Sequence, residues 1–155
     1  MTTTKPTHTY LISVRPTWAD AFFNVHTPKT IELKKGNFGA SLKPGDRIAI
    51  YATMPVAELL GTIRVSMRES LPISDLWRLS KQGQLARVSE AQFNAYYAQQ
   101  ESGIGVWVEA PELLPKSIRL YRLRENWGAK WNPPQQIVQL STEAREMLNR
   151  LIKGK

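Results

Sequence analysis

The sequence contains no cysteine and only two histidines, His8 and His26. The lack of thiols excludes disulfide frameworks, thiolate nucleophiles, and zinc or iron–sulfur sites that depend on thiolate ligands. Two separate imidazoles would need carboxylates to hold a metal, and the sequence has no HExxH motif or close acidic cluster to supply them. We therefore expect no metal site and no other cofactor.

Long apolar runs are also missing. The first apolar segment, residues 10–14, ends at Arg15, and the run 48–57 contains Thr53 and Pro55. Neither approaches the roughly 20 residues that cross a bilayer, and the first is too short for a secretory signal. We expect a soluble, cytoplasmic protein without a membrane partner.

Acidic residues are few, since 13 Asp and Glu stand against 21 Lys and Arg and give the 155-residue chain a net charge of +8. This surplus favours a polyanionic partner, but a charged surface kept for solubility explains it equally well. The chain is 42% hydrophobic and has five tryptophans, so it can fill the core of an ordinary globular domain.

Extended segments are predicted where apolar residues run together or alternate with polar ones. The ranges with such a pattern are 10–14, 30–34, 47–52, 56–66, 105–109, 117–120 and 136–140. Pro44 and Gly45 predict a turn before the third range, and Gly61 suits a bulge. We expect Pro111 and Pro115 to break the chain.

Helices are predicted from caps and from apolar spacing. Pro16 suits the first turn of a helix that continues through Phe23 and turns Trp18 inward. Residues 72–100 have helical spacing, with Ser74 as one cap and the capping box 89–92 opening a second helix. Ser141 or Thr142 caps a C-terminal helix, residues 142–155, packed on or extending the domain. With a flexible N-terminus at 1–8, the domain itself spans 9–141 and is of the α+β class.

Four segments together resemble the ASCH domain family of the PUA-like superfamily. They read SVRP at 13–16, PKTIELK at 28–34, KPGD at 43–46 and IYATMP at 50–55. The insert with Phe93 and Tyr96, and the segment 132–135, agree with it. The resemblance implies a PUA-like small β-barrel or strongly curved mixed sheet with flanking helices, and a cleft beside it that binds RNA or a nucleotide-like ligand.

A family motif lies at the start of the second strand. Similar proteins typically show G-x-K-x-x-E-x-R, and here the pattern begins with Thr27, keeps Lys29 and Glu32, and ends with Lys34. Lysine in place of arginine loses the planar fork that grips phosphate in a bidentate way, although a point charge remains. Arg15 is the nearest remaining arginine whose guanidinium group could make such a bidentate contact.

The candidate binding residues are those that would line this cleft: Arg15, Lys29, Glu32, Lys34, Arg47 and Tyr51. Cations would neutralise phosphate, Glu32 would orient Lys29 or accept from a base edge, and an aromatic ring would stack. The alternative interpretation of Lys29 and Glu32 is an ion pair that orders the start of the strand. The resulting hypothesis is an RNA- or nucleotide-binding domain, with a regulatory role in RNA metabolism or translation.

Two other functions stay open. Some similar proteins hydrolyse acetylated cytidine with a lysine, a threonine and a glutamate, and Lys29 matches that lysine, but Glu32 stands where the threonine would be. A nearby carboxylate keeps a lysine charged and unfit as a base, so we assign no catalytic residue beyond these two candidates. A ribonuclease is the other enzymatic alternative, and a protein-interaction module that docks its C-terminal helix is the third.

The segment 119–131 interleaves cations with aromatic residues, as single-strand binders do. Trp127 and Trp131 stand four residues apart. Because buried aromatic residues are commoner than stacking platforms, we expect at least one of the two in the core.

Overall fold

The computed structural model describes residues 7–153. Along this range the strands are β1 (Thr9–Val14), β2 (Ile31–Lys34), β3 (Arg47–Ala52), β4 (Glu58–Pro72), β5 (Ser102–Arg119) and β6 (Ile137–Gln139). The α-helices are α1 (Pro16–Ala21), α2 (Ile73–Leu79), α3 (Glu90–Tyr96), α4 (Leu120–Trp127) and α5 (Thr142–Ile152), and a short 3-10 helix spans Gln84–Ala86. The N-terminus predicted to be flexible lies mostly outside the described residues, as do the last two residues of the predicted C-terminal segment.

The strands form one mixed sheet in the order β2-β5-β4-β3-β1-β6. The β1–β3 pair is parallel and the other neighbours are antiparallel. Register shifts along β4 help the sheet to curl into a half-barrel. Gly61 lies at one of these shifts, and a Cβ there would clash with the Glu112 carbonyl and the Phe23 ring. The prediction of an α+β fold with a strongly curved mixed sheet is confirmed.

Side chains of alternating residues enter different core clusters. On β1, Tyr10, Ile12 and Val14 join the cluster that receives Phe22 after α1, whereas Leu11 joins a second cluster beneath α4 and α5. A third cluster, around Leu76, Phe93 and Tyr97, packs beneath α2 and α3. Helix α1 therefore packs on the first cluster, whereas α2 to α5 cover the second and third clusters.

The helices at the two capping signals form as predicted. Ser89 and Gln92 make both bonds of a capping box at α3, and the Ser141 hydroxyl accepts a bond from the Ala144 N–H at α5. Leu148, on the inner face of α5, is fully buried in the second cluster. The C-terminal helix is thus packed on the domain.

Other helical boundaries differ from the expectation. Helix α1 ends at Ala21, so Phe22 is buried from the turn that follows it. Helix α2 begins after Pro72 rather than at Ser74. Helix α4 was not predicted, because its mixture of arginines and aromatic residues has no clear helical start signal.

The predicted break at Pro111 and Pro115 is wrong, since β5 runs without interruption for 18 residues. Pairing with β4 skips both prolines, because it passes from Glu109 to Glu112 and then from Leu113 to Ile118. Pairing with β2 ends at Trp107, so this part of β5 has no second neighbour there. A proline is tolerated at such bulged, edge-like positions because no ladder bond needs its missing N–H.

Candidate functional site

Strand β2 is an edge of the sheet and carries a buried ion pair. Lys29 lies just before the strand, and its backbone N–H donates to the Ala21 carbonyl at 2.8 Å. Its Nζ lies 2.7 Å from Glu32 Oε1, and both residues are about 5% exposed. The ion pair considered as an alternative for these two residues is therefore present in the structure.

Aromatic rings of α1 and the turn after it surround the Lys29 ammonium. Its Nζ lies 5.7 Å from the centroid of Trp18 and 5.1 Å from that of Phe22. Such contacts favour a charged ammonium, because the face of an aromatic ring is electronegative. With its Nζ held by a carboxylate and two rings, Lys29 is suited to hold Glu32 in position.

Lys34 connects this buried pair to the surface. Its Nζ lies 3.5 Å from Glu32 Oε2 and 5.2 Å from the Phe38 centroid, with its side chain 24% exposed. Arg68 also contacts Phe38, because its Nε and Nη2 donate to the Phe38 carbonyl at 3.0 and 2.9 Å. We call Lys29, Glu32, Lys34 and Arg68 the edge cluster. The cluster contains one carboxylate and three cations, so it carries a net positive charge.

Two tyrosines join the helical insert to this edge. The Tyr97 hydroxyl donates to the Lys34 carbonyl at 2.9 Å, and Lys35 Nζ lies 4.5 Å from the Tyr96 ring centroid. Burial, with added repulsion from Tyr96 and Glu32, raises the pKa of Tyr97 well above its ordinary value. Burial and the Glu32 charge also raise the pKa of Tyr96. Both hydroxyls therefore remain protonated donors at neutral pH.

An open cleft of about 620 Å³ lies beside the edge cluster. Thr27, Pro28 and Thr30 form one wall, and the segment 83–88 contributes Gly83, Gln84, Leu85, Arg87 and Val88 to the other. Arg87 Nη1 donates to the Thr27 carbonyl and hydroxyl at 3.2 and 2.8 Å, while its own carbonyl accepts from Trp18 Nε1 at 3.1 Å. These bonds fix the walls together. The volume is within the range of small-ligand sites.

A second cleft, of about 460 Å³, lies between residues 55–58 and 119–121. The charged groups of its lining are mutually engaged, because Glu58 lies 3.4 Å from Arg119 Nε and accepts a 2.7 Å bond from the Ser117 hydroxyl. It therefore has less free charge than the edge cluster to offer a ligand, and we regard the edge cluster as the better candidate.

The remaining predicted residues are not members of the edge cluster. Arg15 is exposed at the start of α1, where its carbonyl accepts the Trp18 and Ala19 N–H groups. Tyr51 is 3% exposed in the cluster beneath α4 and α5, and Arg47 bonds Asn149 of α5. The structure does not bring Tyr51 and Arg47 to Lys29, because alternation along β3 turns them to the opposite face of the sheet.

Sequence reasoning missed part of the candidate site. Arg68, Arg87 and Tyr96 belong to segments that are distant along the chain from Lys34, so the sequence gives no sign that they lie near the candidate site. Tyr96 stood out only as one member of a helical apolar pattern, and it is 38% exposed. The tryptophans Trp127 and Trp131 do pack on the core, with ring centroids 4.9 Å apart.

Two further observations concern residues 7–153. No three metal-ligating side chains lie together within this part of the chain. None of its helices is long and apolar enough to cross a membrane.

Comparison with known proteins gives matches among solved structures. No family model and no curated protein matches the sequence. The crystal structure of ASCH from Zymomonas mobilis matches with a TM-score of 0.81 and 27% identity, covering 92% of this chain and 94% of that chain. Human THYN1 in complex with DNA containing 5-methylcytosine matches in fold with a TM-score of 0.59 and 12% identity, covering 96% of this chain and 99% of that chain. The N-terminal domain of Staphylothermus marinus McrB also matches in fold, with a TM-score of 0.59 and 11% identity, covering 92% of this chain and 93% of that chain. The structural match at 27% identity, together with the sequence segments that resemble the family, supports the assignment of this chain as an ASCH domain with a PUA-like fold.

Proposed function

We propose that this domain binds RNA or a nucleotide at the edge cluster and the adjoining cleft. The observation that carries the proposal is the connection of the buried Lys29–Glu32 pair to the partly exposed Lys34. Buried charges are costly unless they are paired, and here one carboxylate is shared by two ammonium groups. The excess positive charge is therefore held at Lys34, where it can meet an anionic ligand.

Each side chain has a separate role in this proposal. Lys34 and Lys35 contact phosphate, and the half-exposed Tyr96 ring offers a surface on which a base can stack. Both Glu32 oxygens are engaged by lysines, so Glu32 acts as a positioning residue for Lys34. Arg15, exposed at the start of α1, adds a further phosphate contact.

Two other facts support a nucleic-acid ligand. The chain carries a net charge of +8, which attracts polyanions. Human THYN1, which shares the fold, is seen in complex with DNA. The cellular role that we propose is regulatory, in cytoplasmic RNA metabolism or translation.

The test is a titration of fluorescent single-stranded RNA, followed by anisotropy at several salt concentrations. Lys34→Ala should weaken binding and make the log–log salt slope shallower by about 0.7, the value for one single-strand phosphate contact. Lys34 is chosen because its loss leaves Glu32 still paired with Lys29. Lys153→Ala, an exposed change at the end of α5, is the control and should have little effect.

A DNA oligonucleotide of the same sequence separates RNA recognition from general attraction of polyanions, because only RNA carries the 2′-hydroxyl. Tighter binding of RNA supports RNA as the ligand. Equal weakening by Lys34→Ala and Lys153→Ala would show diffuse charge attraction, and the assignment of the site would be abandoned. Thermal melts of both variants confirm that the fold is kept.

A further inference from the structure

Three arginines meet on the face of the sheet opposite to the edge cluster. Arg47 of β3 and Arg64 of β4 are directly paired in the antiparallel register. Arg145 of α5 reaches the same place, because its Nη1 donates to the Thr7 carbonyl at 2.9 Å and Arg64 Nη1 lies 3.4 Å from the Thr7 hydroxyl. Burial and the charges of Arg64 and Arg145 lower the pKa of Arg47. All three residues are half-buried, so part of each side chain is open to solvent.

Their hydrogen-bond partners are neutral. Arg47 Nη2 donates to Asn149 Oδ1 at 2.7 Å. Arg64 Nη1 donates to the Gly45 carbonyl at 3.0 Å, and Arg145 Nη1 donates to the Thr7 carbonyl at 2.9 Å. These bonds orient the guanidinium groups without removing their charge.

Acidic groups do not balance this charge. None of the ion pairs found within residues 7–153 involves Arg47, Arg64 or Arg145. Glu112 attracts Arg47, and Glu109, which lies opposite Arg64 in the β4–β5 register, accepts a 2.8 Å bond from the Ser66 hydroxyl. Two carboxylates against three guanidinium groups still leave a net positive charge at this place.

Such an arrangement is unfavourable for the domain by itself. Like charges directly opposite each other on neighbouring strands destabilise a sheet, and here a third cation from α5 adds to the repulsion. A bound anion would relieve it. Guanidinium forks match the oxygens of phosphate in a bidentate way, which a lysine cannot do.

We propose that Arg47, Arg64 and Arg145 form a second phosphate-binding site, which takes a backbone phosphate of a nucleic-acid strand. The phosphate chemistry follows from the three arginines alone. The identity of the polymer rests on the proposed function. Because this site and the edge cluster lie on opposite faces of the sheet, a strand that occupies both must pass around the domain.

The first test uses inorganic phosphate as the probe and thermal melting as the readout. Phosphate should raise the melting temperature of the wild-type protein above that in chloride of equal ionic strength, because a ligand of the folded state stabilises it. Arg145→Gln should lose this increase. Arg150→Gln is the matched control, since Arg150 is an exposed arginine of the same helix, and it should keep the increase.

The second test is the RNA titration described above. Arg145→Gln should weaken binding about fivefold to tenfold and make the salt slope shallower by about 0.7, as expected for one lost phosphate contact. Arg47→Lys keeps the charge but loses the fork, so weakened binding by this variant supports bidentate contact. Combining Arg145→Gln with Lys34→Ala should give the product of the two single effects if the sites are separate.

The outcomes distinguish the two proposals. If Arg145→Gln behaves like Arg150→Gln in both tests while Lys34→Ala weakens binding, the second site is refuted and the proposed function stands. If Lys34→Ala has no effect while Arg145→Gln weakens binding, the edge cluster is refuted and the arginine site stands. Arginine-dependent binding to anionic lipid vesicles, without any effect of Arg145→Gln on RNA, would overturn the nucleic-acid assignment.

Discussion

Lys29 and Glu32 form a buried ion pair 2.7 Å long at the edge strand of the sheet. Removing one partner of such a pair leaves the other as an uncompensated buried charge, which costs about 3–5 kcal/mol. We expect Lys29→Ala to lower the free energy of unfolding by an amount near the lower end of this range, because Lys34 remains 3.5 Å from the carboxylate. Urea denaturation measures the change.

The control for this prediction is an ion pair of the same spacing at the surface. Arg78 and Asp75 are also three residues apart, 3.4 Å from each other, and exposed. Exposed pairs contribute roughly 0–1 kcal/mol, so Arg78→Ala should have a small effect. A loss of the same size in both variants would contradict a special role of burial.

A second prediction concerns the C-terminal helix. Leu148 of α5 is fully buried in the cluster beneath α4 and α5, and truncation of such a leucine costs about 2–5 kcal/mol. Leu148→Ala should therefore lower the melting temperature strongly, whereas the exposed Glu146→Ala should not. Deletion of residues 142–155 should also lower it. An unchanged melt after deletion would instead favour a helix that docks a partner.

A third prediction concerns alkaline pH. The pKa of Tyr97 is raised above its ordinary value of 10.0, chiefly by burial. Above about pH 10 the unfolded chain loses this proton while the folded protein keeps it, so the folded state loses relative stability as pH rises. The expected slope is about 1.4 kcal/mol per pH unit for each such tyrosine.

Tyr97→Phe tests this directly, because it removes the titrating hydroxyl and keeps the ring. Urea denaturation between pH 9 and pH 12 should show a shallower decline in the variant. At neutral pH the variant should also lose about 1 kcal/mol, since the hydroxyl no longer bonds the Lys34 carbonyl. If the free energy of unfolding fell equally steeply with pH in the wild-type protein and in Tyr97→Phe, the assigned pKa shift would be refuted.

A fourth prediction concerns the hydrolase alternative. The Lys29 side chain is held by Glu32 and two aromatic rings, contacts that suit a positioning role and leave its Nζ no open approach to a substrate. Purified protein incubated with acetylated cytidine should give no turnover above background. Turnover that is abolished by Lys29→Ala would overturn the proposal of binding without catalysis.

The sequence predicts best where the signal is local. Strands β1 and β3 follow from short apolar runs, and α3 and α5 follow from side-chain caps that lie within three residues of their partners. Strand β5 was predicted as two pieces because prolines alone do not show that a bulge will omit them from the ladder. That outcome depends on β4, which is distant along the chain.

The candidate site was predicted only in part for the same reason. Alternation assigns Glu32 to a polar face, and nothing local in the sequence shows that Glu32 is buried there beside a lysine that Trp18 and Phe22 surround. Arg47 and Tyr51 were grouped with Lys29 as candidate residues of the cleft, although their positions on β3 direct them to the other face. Nothing local in the sequence connects Arg87 or Tyr96 with the lysines of β2.

The helical insert between β4 and β5 has a consequence for how such domains diversify. The last pair of the β4–β5 ladder joins Pro72 and Ser102, so residues 73–101 are, in topological terms, the loop of a single hairpin. The entropy of closing such a loop grows slowly with its length. A different segment could therefore replace this insert, provided that its apolar side chains still cover Gly103 and Gly105. Replacing it would change Arg87 in the wall of the cleft and Tyr96 beside Lys35, while every strand keeps its register.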